Sequence, residues 1–437
     1  MNTPAPFISL GDWLAWLETL SPLEIDLGLE RVEAVLDRLQ LPTPARVVHV
    51  AGTNGKGSCA AMLERLLLDG GYRVGCYTSP HLLRYNERIR VNGSQADDRD
   101  IVAAFERVED ARHGLPLTYF EYGTLAAMVV FERKGMETLV LEIGMGGRLD
   151  AVNAIEPDAG IITNVALDHC DWLGSDVETI AREKAGIMRP GKPVIFGTSD
   201  VPASIVEQAA ELGAKLAIAG RDFSYSEDPP AAKGWSWRGR EAILQKLALP
   251  SLSGRFQLQN ASAVLALLES LALDDLLTRD RVSAALCALS LPGRFQWAGP
   301  HRRWLLDVAH NPHAAGALAE TLGALTPRRR ITAVIGVLAD KELEGILAPL
   351  VPHVDRWVAV TSASSRALDA HKLAQSIAQF TNKPCLVAPA IPDALRYAEQ
   401  GARGDELLLV TGSFYTVGPA LEWLQGKDGR PRCRTLR

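Results

Sequence analysis

The sequence predicts an α/β fold in two units, and three observations carry that reading. Short apolar runs of strand length alternate with helix-length amphipathic stretches, the pattern of a mostly parallel sheet covered by helices. The alternation comes in two series, separated at Leu291-Pro292-Gly293, where proline and glycine suit a hinge. The chain has 437 residues, enough at roughly 150 per domain for two or three domains with cores of their own.

The first elements are helices. Residues 10–20, with Leu10, Trp13, Leu14 and Leu17, and residues 29–39, with Leu29, Val32, Leu36 and Leu39, space their apolar side chains by three and four. Val47-Val48-His49-Val50 then reads as a strand that runs into Gly52-Thr53-Asn54-Gly55-Lys56-Gly57-Ser58, followed by a strong helix former from Ala60 to Leu68. Further buried strands are predicted at Val74–Tyr77, Thr138–Ile143, Gly160–Val165 and Pro193–Phe196, between helices at 101–111, 120–133 and 176–188. Residues 221–253, with Pro229-Pro230 and Trp235-Ser236-Trp237, read as a small antiparallel excursion. Helices at 260–272 and 280–290 lead to the hinge. A second series follows, with strands near 303–308, 331–337, 356–361, 384–388 and 406–411 and helices at 312–325, 341–349, 370–379, 392–400 and 417–425. The units are therefore placed at 1–292, a P-loop-type mostly parallel sheet with N-terminal helices, and 293–437, a smaller Rossmann-like α/β unit. The second carries no G-x-G-x-x-G, so its alternation gives no warrant for a dinucleotide.

Composition narrows the class. Hydrophobic residues at 47% and charged residues at 22% exclude disorder. A net charge of −6 without a Lys/Arg run argues against a general grip on nucleic acid, so an anionic substrate would be bound by local basic groups. Six scattered cysteines with no CxxC argue against a zinc site, a redox motif or a disulfide framework. Met1 to Leu10 has no basic and apolar leader pattern, and no apolar run approaches ~18 residues. These features lead us to expect a cytoplasmic protein without membrane spans. With no heptad seam, monomer is the default state.

The glycine-rich segment is the first chemical signal. A strand–glycine–helix junction gathers backbone N–H groups and the positive end of a helix dipole where a phosphate chain can sit, with Lys56 reaching the outer phosphates. The usual G-x-x-x-x-G-K-[ST] spacing fails at both ends, since position 50 is Val and Gly57 separates Lys56 from Ser58. An ordinary glycine-rich turn is the alternative. Three more segments fall where strands of the first unit should end, the usual site location in open α/β sheets: Tyr77 to His81, Glu142 to Asp150, and Asn164 to His169. Glu142, after Leu139-Val140-Leu141, is poorly explained by solvent exposure and suits a hard cation such as Mg²⁺, with Ser79 and His169 as further donors. A capping or core histidine is the alternative for His169. Lys184, among Ile180, Ile187 and Met188, is equally readable as a surface lysine on an amphipathic helix.

Together the motifs resemble one family. The loop 52–58, Thr78-Ser79-Pro80-His81 with Asn86-Glu87-Arg88-Ile89, Glu142 to Asp150, Leu167-Asp168-His169 with Asp171-Trp172-Leu173-Gly174, Glu183-Lys184-Ala185-Gly186, Asp307-Val308-Ala309-His310-Asn311-Pro312 and Thr411-Gly412-Ser413-Phe414 look like the folylpolyglutamate synthase/dihydrofolate synthase family of the Mur ligase superfamily. The resemblance implies an ATP-dependent amide ligase in which a substrate carboxylate becomes an acyl phosphate that the amine of L-glutamate then attacks. It implies that Gly52, Thr53, Asn54, Gly55, Lys56, Gly57 and Ser58 hold ATP together with Asn260, Arg294 and Asp307. Ser79, Glu142 and His169 would hold magnesium, Lys184 would be carbamylated, and His310 would lie near the phosphates or the incoming glutamate. Gly147 to Asn153 looks more like the bifunctional bacterial members, which act on dihydropteroate as well as on reduced folates, and in which the aspartate matching Asp150 contacts the pterin. A turn-capping role for Asp150, and a strand end with a helix cap for Asp307 to Pro312, remain open readings. A ligase of cell-wall precursors is disfavoured, since only some 45 residues precede the first strand. A nucleotide switch would leave Lys184 and the second unit without work.

Overall fold

The computed structural model describes residues 9–20, 26–229, 234–299, 302–326 and 328–427. Pro230, Cys433, most of Met1 to Leu10 and the side chains of Cys170 and Asp171 lie outside the described residues.

The first sheet contains β1 (Arg46–Ala51), β2 (Val74–Tyr77), β3 (Ile89–Val91), β4 (Ser94–Gln95), β5 (Thr138–Glu142), β6 (Ala159–Ile162), β7 (Pro193–Phe196) and β8 (Lys215–Ile218), in the order β4-β3-β2-β5-β1-β6-β7-β8. The pairs along β2-β5-β1-β6-β7-β8 are parallel, and the β2–β3 and β3–β4 pairs at one edge are antiparallel. β9 (Ser224–Glu227), β10 (Gly234–Arg238) and β11 (Ile243–Ala248) form the antiparallel excursion. The last sheet holds β12 (Gln296–Ala298), β13 (Trp304–Leu306), β14 (Ile331–Ile335), β15 (Arg356–Val360), β16 (Cys385–Ala388) and β17 (Leu407–Thr411), in the order β12-β13-β17-β14-β15-β16. It is parallel except for the β12 edge.

Burial on both faces explains the near-continuous Val, Ile and Leu of the central strands. One face of the first sheet packs on the N-terminal helices through Leu10, Trp13 and Leu17 and on the helix Tyr119–Arg133. The other packs on the helices Lys56–Asp69 and Arg255–Ser270, where the small sheet adds Trp235 and Trp237. Cys59, Cys76, Cys287 and Cys385 are free. Among the described residues no helix is long and apolar enough to cross a membrane.

Three differences from the sequence reading have physical causes. The helix after the glycine loop begins at Lys56, four residues early, because Gly55 at φ +87° serves as its N-cap. The strand placed at Gly160–Val165 stops at Ile162, where Thr163 turns to bond the glycine loop. The β3–β4 hairpin is short and its outer strand exposed, so it carries almost no apolar pattern. The helix Ala203–Leu212 with β8, and the edge strand β12, have no counterpart in the sequence reading.

Leu267 is fully buried in the core beneath the first sheet. Leu267→Ala should lower unfolding free energy by about 2–5 kcal/mol, read as a lower denaturant midpoint in equilibrium unfolding.

Candidate active site

β1 lies between β5 and β6, and its register sets Val50 beside Glu142 and Ala51 beside Ile162. The chain leaves the sheet through Gly52 at φ +137°, where any Cβ would strike the Thr163 side chain. At Gly55 a Cβ would lie 2.6 Å from Asn260 Oδ1. The loop is tied to the end of β6: Thr53 N donates to Asn164 O at 3.0 Å and Asn54 N to Asn164 Oδ1 at 3.1 Å. Thr163 Oγ1 and Asn164 Nδ2 both donate to Asn54 O, at 2.6 and 2.9 Å. The helix Lys56–Asp69 starts at this loop with no side-chain cap, and its first-turn N–H groups lack intrahelical acceptors, an end that favours anions. Lys56 Nζ donates to Gly52 O and Thr53 O at 2.9 and 3.2 Å. Burial lowers its pKa, while Glu142 and Asp168 favour its charge. Ser58 turns toward the helix Arg255–Ser270, where Gln257 Nε2 donates to its Oγ at 3.4 Å.

Glu142 is 4% exposed and accepts the Ser79 N–H at 3.1 Å. Burial pushes its carboxyl up, and Lys56, the Ser79 N–H and Arg294 oppose this. Asp150 accepts from Met145 N at 2.8 Å and Val152 N at 3.0 Å, so the turn-capping role is real. Burial nevertheless raises its pKa to about 6, and each carboxylate oxygen keeps acceptor capacity. Lys184 is 3% exposed, which removes the surface-lysine reading. Burial and Lys56 lower its pKa to about 7. Its helix, Val177–Ala185, meets the 144–150 loop backbone to backbone: a Cβ on Gly147 would lie 2.9 Å from Lys184 Cα, and one on Gly186 would lie 2.8 Å from Arg148 N.

The second unit supplies the other side. Asp307 accepts from Phe295 N and Ala309 N, both at 2.9 Å. Burial lowers the pKa of Arg294, and both Asp307 and Glu142 favour its charge; the guanidinium lies 5.3 Å from the Phe414 ring centre. His310 Nδ1 is 2.9 Å from Val308 O, and burial lowers its pKa to about 4, as it does for His169. Asn311 caps the helix Pro312–Gly323 by accepting Ala314 N at 2.9 Å, so the strand-end and cap reading of this segment also holds.

Asp168 joins the two sides. Its carboxylate accepts from Lys341 Nζ at 2.7 Å and Asn311 Nδ2 at 2.8 Å, with His169 Nε2 and His310 Nε2 each at 3.9 Å. Burial would raise this carboxyl, but His169, Lys341 and His310 hold it well below the usual carboxylate range.

Two family models match the chain: the Mur ligase middle domain over residues 50–268 and the Mur ligase glutamate ligase domain over 293–414. A dihydrofolate synthase/folylpolyglutamate synthase of Escherichia coli is 40% identical over 98% of this chain and 98% of its own length. The chain belongs to the dihydrofolate synthase/folylpolyglutamate synthase family. A Bacillus subtilis member is 30% identical over 94% of this chain and 98% of its own. The solved structure of E. coli FolC in complex with DHPP and ADP superposes with a TM-score of 0.91 at 40% identity, covering 98% of this chain and 100% of that one. A Yersinia pestis structure of the family, complexed with AMPPNP and Mn ion, gives 0.88 at 40% identity over 97% and 100%. This member of the family is an ATP-dependent ligase with the Mur ligase fold.

The donor set suits a divalent cation of the kind the family uses. Among the described residues no three His, Cys, Asp or Glu side chains converge on one point. A hard cation that takes one or two protein oxygens and completes its shell with phosphate and water needs no such cage. The buried Glu142, next to Ser79 and within the field of Lys56, fits that role, and His169 shares the field of Lys56. Sequence reasoning missed Lys341, His313 and the linking role of Asn54 and Asp168. The one available signal was Asp340-Lys341 just past the carboxyl end of β14, the sheet edge where sites gather.

Proposed function

We propose that this enzyme joins L-glutamate to dihydropteroate and to reduced folates, activating the acceptor carboxylate as an acyl phosphate at the expense of ATP. The carrying observation is the convergence of Lys56 and Glu142 from the first unit with Arg294 from the second at the end of β1. Phosphoryl transfer to a carboxylate spreads negative charge over the transferring group, so it needs positioned cations more than a protein nucleophile. The E. coli and Y. pestis relatives support the substrates through the ADP, DHPP and AMPPNP found with them.

In this reading the units 1–292 and 293–437 close on the substrates. Backbone N–H groups of the 52–58 loop cradle the phosphates, and Lys56 and Arg294 offset the developing charge. Asn260, beneath Gly55, and Asp307, beside Arg294, hold the nucleotide. Ser79, Glu142 and His169 would hold magnesium, which when bound supplies further positive charge to the phosphate oxygens. Lys184, with its lowered pKa, carries a neutral amine that adds carbon dioxide and gives up one proton, leaving a carbamate beside Lys56. His310, neutral at physiological pH, faces the phosphates or the incoming glutamate. Exclusion of water between the units protects the acyl phosphate from hydrolysis. Asp150 accepts hydrogen bonds from the amino-pyrimidine edge of the pterin.

Mass spectrometry of products formed from ATP, Mg²⁺ and L-glutamate with dihydropteroate or tetrahydrofolate tests the reading. Gain of one glutamate on both acceptors is expected; gain on tetrahydrofolate alone reduces the activity to folylpolyglutamate synthesis, and gain on neither refutes it. Lys56→Ala should lower turnover by about a hundredfold or more. Lys184→Ala should be impaired and partly restored by acetate; full activity without rescue would refute the carbamate. Because Asp150 takes up its proton as pH falls through about 6, dihydropteroate affinity should be level above that pH and decline below it. Asp150→Asn should flatten this dependence and weaken binding at pH 7.5 by about tenfold, measured by calorimetric titration.

A further inference from the structure

We propose that Lys341 is a positioning residue for the ligase reaction, acting through Asp168 to hold the second unit in register with the phosphate loop. The inference rests on the function proposed above and concerns a residue with no assigned part in it. Lys341 follows β14 in the second unit, and its side chain is 6% exposed where it meets Asp168, itself 9% exposed, at 2.7 Å. Asp340, 3.8 Å from the same ammonium, is paired with Arg366 at 3.0 Å, so Asp168 is the close partner of Lys341. An ion pair this buried adds little net stability, because desolvation offsets the attraction. What it does supply is direction.

The direction is passed on through amides. Asn311 Nδ2 donates to Asp168 Oδ2 at 2.8 Å and to Asn54 Oδ1 at 3.0 Å. Asn311 Oδ1 in turn accepts Asn54 Nδ2 at 3.2 Å and the capped Ala314 N at 2.9 Å. Asn54 Nδ2 also lies 3.1 Å from His313 Nδ1. A flipped Asn311 would turn its carbonyl oxygen against the Asp168 carboxylate and its amide group against the Ala314 N–H, so the charged carboxylate fixes the amide orientation. Asn54 stands between Gly52 and Gly55, so the relay Lys341–Asp168–Asn311–Asn54 runs from the segment after β14 to the glycine loop that leads into Lys56. The same carboxylate lies 3.9 Å from His310. Lys341 thus governs how the His310–Asn311 turn seats on the loop through its contact with Asp168.

The test compares wild type, Lys341→Met, Lys341→Arg, Asp168→Asn and the Asp168→Asn/Lys341→Met double variant. Steady-state kinetics are read together with hydrogen–deuterium exchange of the ligand-free proteins. Lys341→Met should lower kcat roughly tenfold to a hundredfold, the scale of a misplaced catalytic geometry, with the KM for glutamate unchanged and largely restored turnover in Lys341→Arg. The double variant should be no slower than Asp168→Asn, and exchange should quicken at 53–57 and 310–316 in Lys341→Met. Multiplying effects in the double variant would overturn the proposal, because Lys341 would then act independently of Asp168. A raised KM for glutamate at unchanged kcat would overturn it in favour of a direct substrate ligand, and wild-type kinetics and exchange would overturn it outright. If Lys341→Met does not fold, Lys341→Gln takes its place in the same cycle. Absence of ligation in the wild type would fail the functional reading instead, and the exchange arm would still judge the relay.

Discussion

The site depends on one strand being held between two others. β1 is clasped by β5 and β6, and this register brings the chain exits after Ala51, Glu142 and Ile162 to one edge of the sheet. The glycine loop, the buried carboxylate and the Thr163-Asn164 segment therefore emerge side by side, and the loop takes its shape from hydrogen bonds to the last of these. Gly52 tolerates the approach because it has no side chain to press on Thr163. A one-residue slip in the β1–β5 pairing would turn side chains to the opposite face and shift Glu142 against the loop, and a slip in the β1–β6 pairing would shift the Thr163-Asn164 ties.

Charge balance is the second constraint, and it involves both units. Burial pushes Lys56 and Arg294 toward their neutral forms and does the same to Glu142. Glu142 favours the charge of both cations and they favour its own, while Arg294 opposes the charge of Lys56 and has Asp307 beside it. The first unit alone would hold Glu142 and Lys56 with one fewer cation. The electrostatic character of the site is accordingly a property of the two units together.

Much of this was legible in the sequence, for reasons that differ by element. β2 and β7 were bounded correctly because strands buried on both faces are continuous apolar runs with polar ends. Glu142 stood out because a carboxylate next to such a run has little access to water. The glycine loop was legible from its place between strand and helix despite its irregular spacing. Asn260, Arg294 and Asp307 came only from family resemblance, since nothing local separates them from other polar residues. Lys341 had only its place after β14 to mark it, because its significance lies in a partner 173 positions away in the chain. Lys184 was ambiguous for the opposite reason: amphipathic spacing does not reveal that its helix face is covered by a neighbouring loop.

That covering loop has an evolutionary consequence. At Gly147 and Gly186 the contact between loop and helix is made by main chain on both sides, with no room for a Cβ on either. The location of Lys184 is thus written into the path of the backbone rather than into a set of packing side chains. Substitution of the exposed Arg182 on the helix Val177–Ala185 would leave that contact untouched. The two glycines form a linked pair of constraints, because a side chain gained at one position cannot be accommodated by shrinking a residue at the other.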